Sequence, residues 1–315
     1  MLEYFIGVDG GGTKTDAIAT DLDGKTLATA NTGPTSLTAT NLGMASFNLL
    51  EAIRQLTAEL PEDAHCKAVS IGLAGLDTEA EKTNASKIFG EALTRFPHDT
   101  LIVVNDIQPV LAAGTTNPDA IALISGTGSQ CFGYTADGKT ARTSGMDFLL
   151  TDQGSGYEIG RSVLRAAALS FDGRIEKSVL ETLVLQHFEV TTYEELKAKI
   201  YAPLLSKAEV AELSKECVKA YESGDLQAKT ILMEVVDDLE LMVQAVVRRL
   251  ELTQKPVEMV CSGSIVKLPM IFEPLKQRLS QQYPQLSISF LARPPAYGSV
   301  LIAQRELKKQ GTHVV

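Results

Sequence analysis

The feature that most constrains this chain is a pattern that occurs twice. In the first half, apolar residues 4–8 run into Asp9-Gly10-Gly11-Gly12, and residues 16–20 form a β-prone stretch. Asp23-Gly24-Lys25-Thr26 then makes a turn signal, followed by a third β-prone run over 26–32. In the second half, residues 120–124 run into Ser125-Gly126-Thr127-Gly128-Ser129, residues 130–134 are β-prone, and Asp137-Gly138-Lys139-Thr140 repeats the turn. Asp-Gly between β-prone runs is a strong hairpin signal, because glycine accepts the positive φ that tight hairpins need. Strand, glycine-rich turn, strand, Asp-Gly turn, strand, found twice, predicts an internal duplication of a domain built on an antiparallel meander.

The first copy continues as alternating helix and strand. Residues 41–60 read as a helix with Leu42, Leu49, Ile53, Leu56 and Leu60 on one face. Residues 68–73 read as a strand entering Ala74-Gly75-Leu76-Asp77, residues 78–94 as helical, and residues 101–104 as a strand ended by Asn105-Asp106. A short helix carries the chain to Gly114. The second copy carries a large helical insertion, about 155–251, with breaks near Asp172-Gly173, Ala202-Pro203 and Gly224-Asp225. It opens on Ser155-x-x-Glu158, a capping-box pattern. Its longest helix, about 226–252, bears Ile231, Val235, Leu239, Met242, Val246 and Leu250 at spacings of three and four, a core stripe. A strand over 257–261, the turn Ser262-Gly263-Ser264, a helix to about 282, a strand over 286–291 and a last helix over about 296–309 complete the chain. The expected organisation is α/β: a domain over 1–116, a second over 117–294, and a C-terminal helical segment, 295–315, packing back on the first.

A chain of 315 residues with 44% hydrophobic and 22% charged residues can bury the cores of two domains. A net charge of −10 argues against a nucleic-acid partner, which needs clustered Lys and Arg. The four cysteines, Cys66, Cys131, Cys217 and Cys261, are far apart and form no Cys-x-x-Cys, so they read as reduced, buried thiols. No signal peptide and no bilayer-spanning apolar run is visible, and a cytoplasmic location without a membrane partner is expected.

The glycine turns carry the chemistry. Gly10, Gly11 and Gly12 let the backbone approach a ligand and aim N–H groups inward, a concavity suited to anions. Thr13 and Thr15 add hydroxyls and Lys14 adds charge. Asp9, at the end of the first strand, suits a hydrated Mg²⁺ bridging phosphates. The run is not a P-loop, since Thr13 precedes Lys14, and not a dinucleotide fingerprint, since a strand follows. The matching turn Gly126-Thr127-Gly128-Ser129 is a second phosphate-type turn. The third turn, with Gly263 and Ser264, lets a flat base lie against the backbone.

With these three turns in order, the sequence resembles the actin, sugar-kinase and heat-shock-chaperone ATPase superfamily. Within it the likeness is to the family of N-acetylglucosamine kinases and benzoyl-CoA-reductase-type ATPases. The matching stretches span 6–15, 71–76, 103–106, 124–133, 152–160 and 260–265. The resemblance implies two duplicated ribonuclease-H-like domains with ATP and a sugar in the cleft between them, and Mg²⁺ oriented by Asp9. It implies phosphate contacts from Gly11, Gly12, Thr13 and the 126–129 turn, and adenosine beside Gly263 and Ser264. It places Asp106 as the catalytic carboxylate, where it would accept the proton of the attacking sugar hydroxyl. It places Asp152 where a carboxylate accepts from sugar hydroxyls, with Gly145 and Met146 in the related loop, and Asn105 either supporting Asp106 or touching the sugar. Ser36 stands where the family commonly has a sugar-contacting asparagine, which leaves the exact sugar open. The activity implied is ATP-dependent phosphorylation of an amino sugar or N-acetylated amino sugar, with a homodimer face on the helical insertion as one option. Two other readings share the fold: an ATPase that activates a dehydratase or reductase through an iron–sulfur cluster, and a non-catalytic sugar sensor. Single Cys131 and Cys261 lack the partners a cluster needs, and retention of Asp9 and Asp106 argues against a mere sensor.

Overall fold

A computed structural model of the chain describes residues 1–76 and 78–312, with side chains as far as Lys308. Asp77 and residues 313–315, which the sequence reading included, lie outside the described residues.

Contacts divide the chain into two units, Met1–Ala122 with Ser289–Val315, and Leu123–Ile288. In the first unit, β1 (Glu3–Gly10), β2 (Thr15–Asp21) and β3 (Thr26–Thr32) form the meander. They are followed by α1 (Leu42–Thr57), β4 (His65–Leu73), α2 (Glu79–Ala92), β5 (His98–Asn105) and α3 (Ile107–Gly114). The second sheet contains β6 (Ala120–Ser125), β7 (Ser129–Tyr134) and β8 (Thr140–Ser144). Six helices intervene: α4 (Gly156–Phe171), α5 (Leu180–His187), α6 (Tyr193–Tyr201), α7 (Lys207–Glu212), α8 (Ser214–Glu222) and α9 (Leu226–Arg249). Then come β9 (Val257–Ser262), α10 (Pro269–Gln282), β10 (Leu286–Phe290) and α11 (Pro295–Thr312).

The duplication is written in the sheet orders, β3-β2-β1-β4-β5 and β10-β9-β6-β7-β8. Read from the first strand of each set, both run third, second, first, fourth, fifth. The Asp-Gly turns match in their backbone hydrogen bonds. Gly24 and Gly138 have φ of 84° and 83°. Asp21 N donates to Lys25 O at 3.0 Å and Thr135 N to Lys139 O at 3.0 Å. Only glycine takes that φ without strain, so the same sequence signal makes the same hairpin twice. In the first unit a single helix, α1, separates the third strand from the fourth. In the second unit α4 to α9 occupy that place, so the insertion sits at one crossover.

In the first sheet, β1 and β4 are parallel, with Asp9 opposite Gly72, and β4 and β5 are parallel, with Leu73 opposite Asn105. The C-terminal ends of β1, β4 and β5 therefore lie side by side, where open α/β sheets place their ligands. One face of the sheet buries Leu49, Ile53 and Leu56 of α1 and Phe89 of α2 against Ile6, Val8, Val69 and Ile71. The other face buries Phe5, Ile18 and Ala68 against Ala296, Tyr297 and Val300 of α11. The core forms because strand positions alternate between these two layers. Leu42 departs from the expected stripe: it opens α1 and is exposed, since the first residue of the helix lies beyond the edge of the core. Along α9 and its C-cap Leu250, by contrast, all six stripe residues are buried.

The capping box predicted for the insertion forms only in part. Ser155 Oγ accepts from Glu158 N at 3.2 Å, but the Glu158 carboxylate turns to Arg161, whose Nε donates to it at 2.9 Å. A bidentate guanidinium outcompetes a single backbone N–H for the carboxylate.

Candidate active site

In the first unit, the glycine turn after β1 closes with Gly11 N donating to Lys14 O at 2.9 Å. Gly11 O accepts from Ser36 N at 3.3 Å and Gly10 O from Ala74 N at 3.0 Å, so the turn is laced to the 33–40 loop and to the segment after β4. Thr13 is exposed on the turn. Lys14 forms an exposed ion pair with Asp16 at 2.7 Å.

Two predicted ligands are turned inward. Thr15 is fully buried, its hydroxyl donating to Gly33 O at 2.7 Å and lying 2.9 Å from Thr35 Oγ1. It pins the loop instead of offering a hydroxyl to a phosphate. Ser36 is also buried, its Oγ donating to Ala74 O at 3.0 Å.

Asp9 and Asp106 stand at the ends of β1 and β5. Asp9 is half-buried, and its carboxyl is pushed up to about 7 by burial first, then by the charges of Asp106 and Asp16, with Lys14 opposing. The Asp106 side chain does not cap α3. That task falls to Asn105, whose Oδ1 accepts from Ile107 N at 3.0 Å while its Nδ2 donates to Leu76 O at 2.9 Å. Asn105 thus fixes the strand–helix corner that holds Asp106, whose own N–H donates to Leu73 O at 3.1 Å. The capping duty that an aspartate at such a corner would otherwise serve is met by its neighbour.

The second unit assembles its predicted residues around Ser125. Ser125 O accepts from Ile265 N at 3.0 Å and Val266 N at 3.2 Å, tying the 126–129 turn to the turn after β9. Gly263 has φ of 106°, and a Cβ there would stand 2.1 Å from Ser125 O. Conformation and space both demand glycine at this contact. Gly126 N donates to Gly128 O at 2.9 Å, and Gly126 O and Thr127 O accept from Gly156 N at 2.7 Å and Tyr157 N at 3.2 Å at the start of α4. Ser264 is exposed on its turn.

The loop over 144–152 folds onto this turn. Ser144, Gly145, Asp147 and Asp152 have φ of 62°, 74°, 62° and 71°. Met146 is exposed, its N donating to Thr151 Oγ1 at 2.8 Å. Asp152 is only 3% exposed, and its Oδ1 accepts from Ser129 N at 3.1 Å. Its Oδ2 lies 2.5 Å from Lys207 Nζ in an ion pair.

Two residues of this neighbourhood escaped the sequence reading. Gln130 is 6% exposed, and its buried Nε2 makes no hydrogen bond and points at Gly145. Lys207 arrives from α7. Neither stands in a glycine turn, so no local pattern marks it.

A model of the BadF/BadG/BcrA/BcrD ATPase family matches residues 6–303. An N-acetylmuramic acid/N-acetylglucosamine kinase of Clostridium acetobutylicum is 34% identical, over 97% of this chain and 99% of its own. An N-acetyl-D-glucosamine kinase of Dictyostelium discoideum is 28% identical, over 97% and 99%. Among solved structures, a protein of Chromobacterium violaceum superposes with a TM-score of 0.78 at 22% identity, over 96% of this chain and 99% of that one. This last likeness concerns the fold.

Proposed function

Since the chain belongs to the BadF/BadG/BcrA/BcrD ATPase family, we propose that it transfers the γ-phosphoryl group of ATP to a hydroxyl of an N-acetylated amino sugar, N-acetylglucosamine or N-acetylmuramic acid. The observation that carries the reading is the carboxylate pair at the strand ends: Asp9 and Asp106 feel each other's charge. Full-length similarity to two kinases for such sugars supports it.

The attacking hydroxyl loses its proton to Asp106 as its oxygen bonds to the γ-phosphorus, and the bond from that phosphorus to the β-phosphate oxygen breaks, releasing ADP. Gly11 and Gly126 close the two turns through their own N–H groups, and Gly12 and Thr13, with Thr127 and Gly128, offer N–H and hydroxyl donors to the phosphates. Gly263 and Ser264 form the backbone shelf for adenosine. Asp152, with Gly145 and Met146, holds the sugar hydroxyls. Ser36 and Thr15 shape the loop around the first turn, and Asn105 orients Asp106.

The residues fit Mg²⁺. Burial first, and then the charges of Asp106 and Asp16, raise the pKa of Asp9, a condition a divalent cation relieves. Among the described residues no three His, Cys, Asp or Glu side chains form a metal cage, and Mg²⁺ typically needs only one or two carboxylates plus phosphate oxygens. Held by Asp9, the ion would neutralise charge on the phosphates.

The iron–sulfur reading has no comparable support. Cys131 and Cys261 are buried, and burial pushes both thiols up, Cys261 to about 12, so they are held protonated in the core. Among the described residues no helix is long and apolar enough to cross a membrane. The test is ADP formation by the purified protein against a panel of N-acetylglucosamine, N-acetylmuramic acid, glucosamine and glucose. Sugar-dependent ADP release with the first two is expected. Release that no sugar stimulates would sink the proposal.

A further inference from the structure

The loop over 144–152 is held in an expensive conformation. Ser144, Asp147 and Asp152 are non-glycine residues at positive φ, each of which a free chain rarely adopts. The loop also carries two carboxylates, Asp147 and Asp152, that repel each other. Something must hold it.

Lys207 pairs with both. Its Nζ lies 2.7 Å from Asp147 Oδ1 and 2.5 Å from Asp152 Oδ2. The Lys207 side chain is 29% exposed and the Asp152 side chain 4%. Burial alone pushes the Lys207 ammonium down, but the two carboxylates more than offset this and hold it charged. The same Nζ lies 3.2 Å from where a Cβ on Gly128 would stand, and the Phe148 ring centroid is 6.0 Å away. Lys207 is the first residue of α7, whose start is fixed by a complete capping box from Ser206 and Glu209. The ammonium is thus delivered from a rigid helix terminus, not from a wandering loop.

We propose that Lys207 is a positioning residue for sugar binding: it clamps both acidic residues of the 144–152 loop against the 126–129 turn and so presents Asp152 to the sugar. The helical insertion then has a task in the reaction. A buried Asp152 stripped of its cation turns toward water, because an unpaired buried carboxylate is costly. The strained residues relax, and Asp152 leaves the position where Ser129 N now donates to its Oδ1 at 3.1 Å. The inference rests on the proposed sugar contact of Asp152.

Three variants of the full chain test it by steady-state kinetics: Lys207→Met, Lys207→Arg and Asp152→Asn. Lys207→Met is expected to raise KM for N-acetylglucosamine at least about tenfold, with KM for ATP and kcat within about threefold. Lys207→Arg, whose fork can meet both carboxylates, is expected to recover most of the loss. Asp152→Asn is expected to raise the sugar KM at least as much as Lys207→Met. A rise in sugar KM for Asp152→Asn with none for Lys207→Met would overturn the clamp while leaving the site standing. A rise confined to the ATP KM would overturn it too, making Lys207 a phosphate ligand. An unchanged sugar KM for Asp152→Asn would remove the underlying assignment of Asp152, and the inference with it. Hydrogen exchange adds a reading independent of turnover: Lys207→Met should speed exchange of the amides of Met146, Thr151 and Asp152 and leave those of α9 unchanged. If Lys207→Met does not fold, Asp147→Asn, at the exposed partner, should show a smaller rise in sugar KM, and no rise would count against the clamp.

Discussion

Asp9→Asn should make the ligand-free protein more stable at pH 8, while abolishing its ability to hold Mg²⁺. Asp9 titrates near 3.8 in an unfolded chain and about 7 in the fold. Between those values the native state binds the extra proton, so stability falls as pH rises from about 4 to about 7. The ceiling on this loss is about 3 pKa units at about 1.36 kcal/mol each, or about 4 kcal/mol. Asp9 is half-buried, and water and salt screen its neighbours, so about 2 kcal/mol is the working value. The asparagine is isosteric and uncharged and escapes the loss. Scanning calorimetry in EDTA reads it directly. For a unit of about 150 residues, 2 kcal/mol is roughly 5 °C in the melting temperature of the first unit. The variant should melt about 5 °C above the wild type at pH 8 and level with it at pH 4.5. A variant that melts at or below the wild type at pH 8, or differs from it equally at both pH values, would refute the reasoning.

Other outcomes follow from the same geometry. Asp106→Asn should lower kcat by about 10²–10⁴ with little change in sugar KM, measured by coupled ADP assay, because it removes a proton acceptor and keeps the shape. Gly263→Ala puts a Cβ 2.1 Å from Ser125 O at a φ of 106°, and should cost about 2–4 kcal/mol in urea unfolding of the second unit and raise the ATP KM. Asp238 on α9 accepts from Gly154 N, and burial first, then Glu158, Asp237 and Glu234, push its carboxyl up to about 6. Its charge therefore costs stability as pH rises from about 4 to about 6, and Asp238→Asn should flatten the pH dependence of the second unit's melting temperature across that window.

What the sequence made legible was local. The meanders were readable because each hairpin is decided by its own turn, and Asp23-Gly24 and Asp137-Gly138 fold alike wherever they stand. The strand-end carboxylates were readable because a short apolar run followed by Asp marks an edge. Thr15 was misjudged although the signal existed: period-two alternation sets it with Ala17 and Ala19, both buried, on the inward face of β2. Glu158 was misjudged because Arg161 competes for it one turn on. Lys207 was not legible at all. It meets Asp147 across 60 residues of chain, and nothing in the periodicity of the insertion says which helix start folds back on which loop. Gln130 was invisible for the same reason, since only the folded loop puts Gly145 beside its amide.

The central claim is phosphoryl transfer from ATP to an amino sugar with Asp106 taking the proton. Phosphorus NMR of the protein with ATP, Mg²⁺ and N-acetylglucosamine follows the γ-phosphoryl group itself. The account predicts a sugar phosphate ester growing in step with ADP, and near-total loss of both signals in Asp106→Asn. ADP accompanied by inorganic phosphate, with no ester from N-acetylglucosamine or N-acetylmuramic acid, would contradict it.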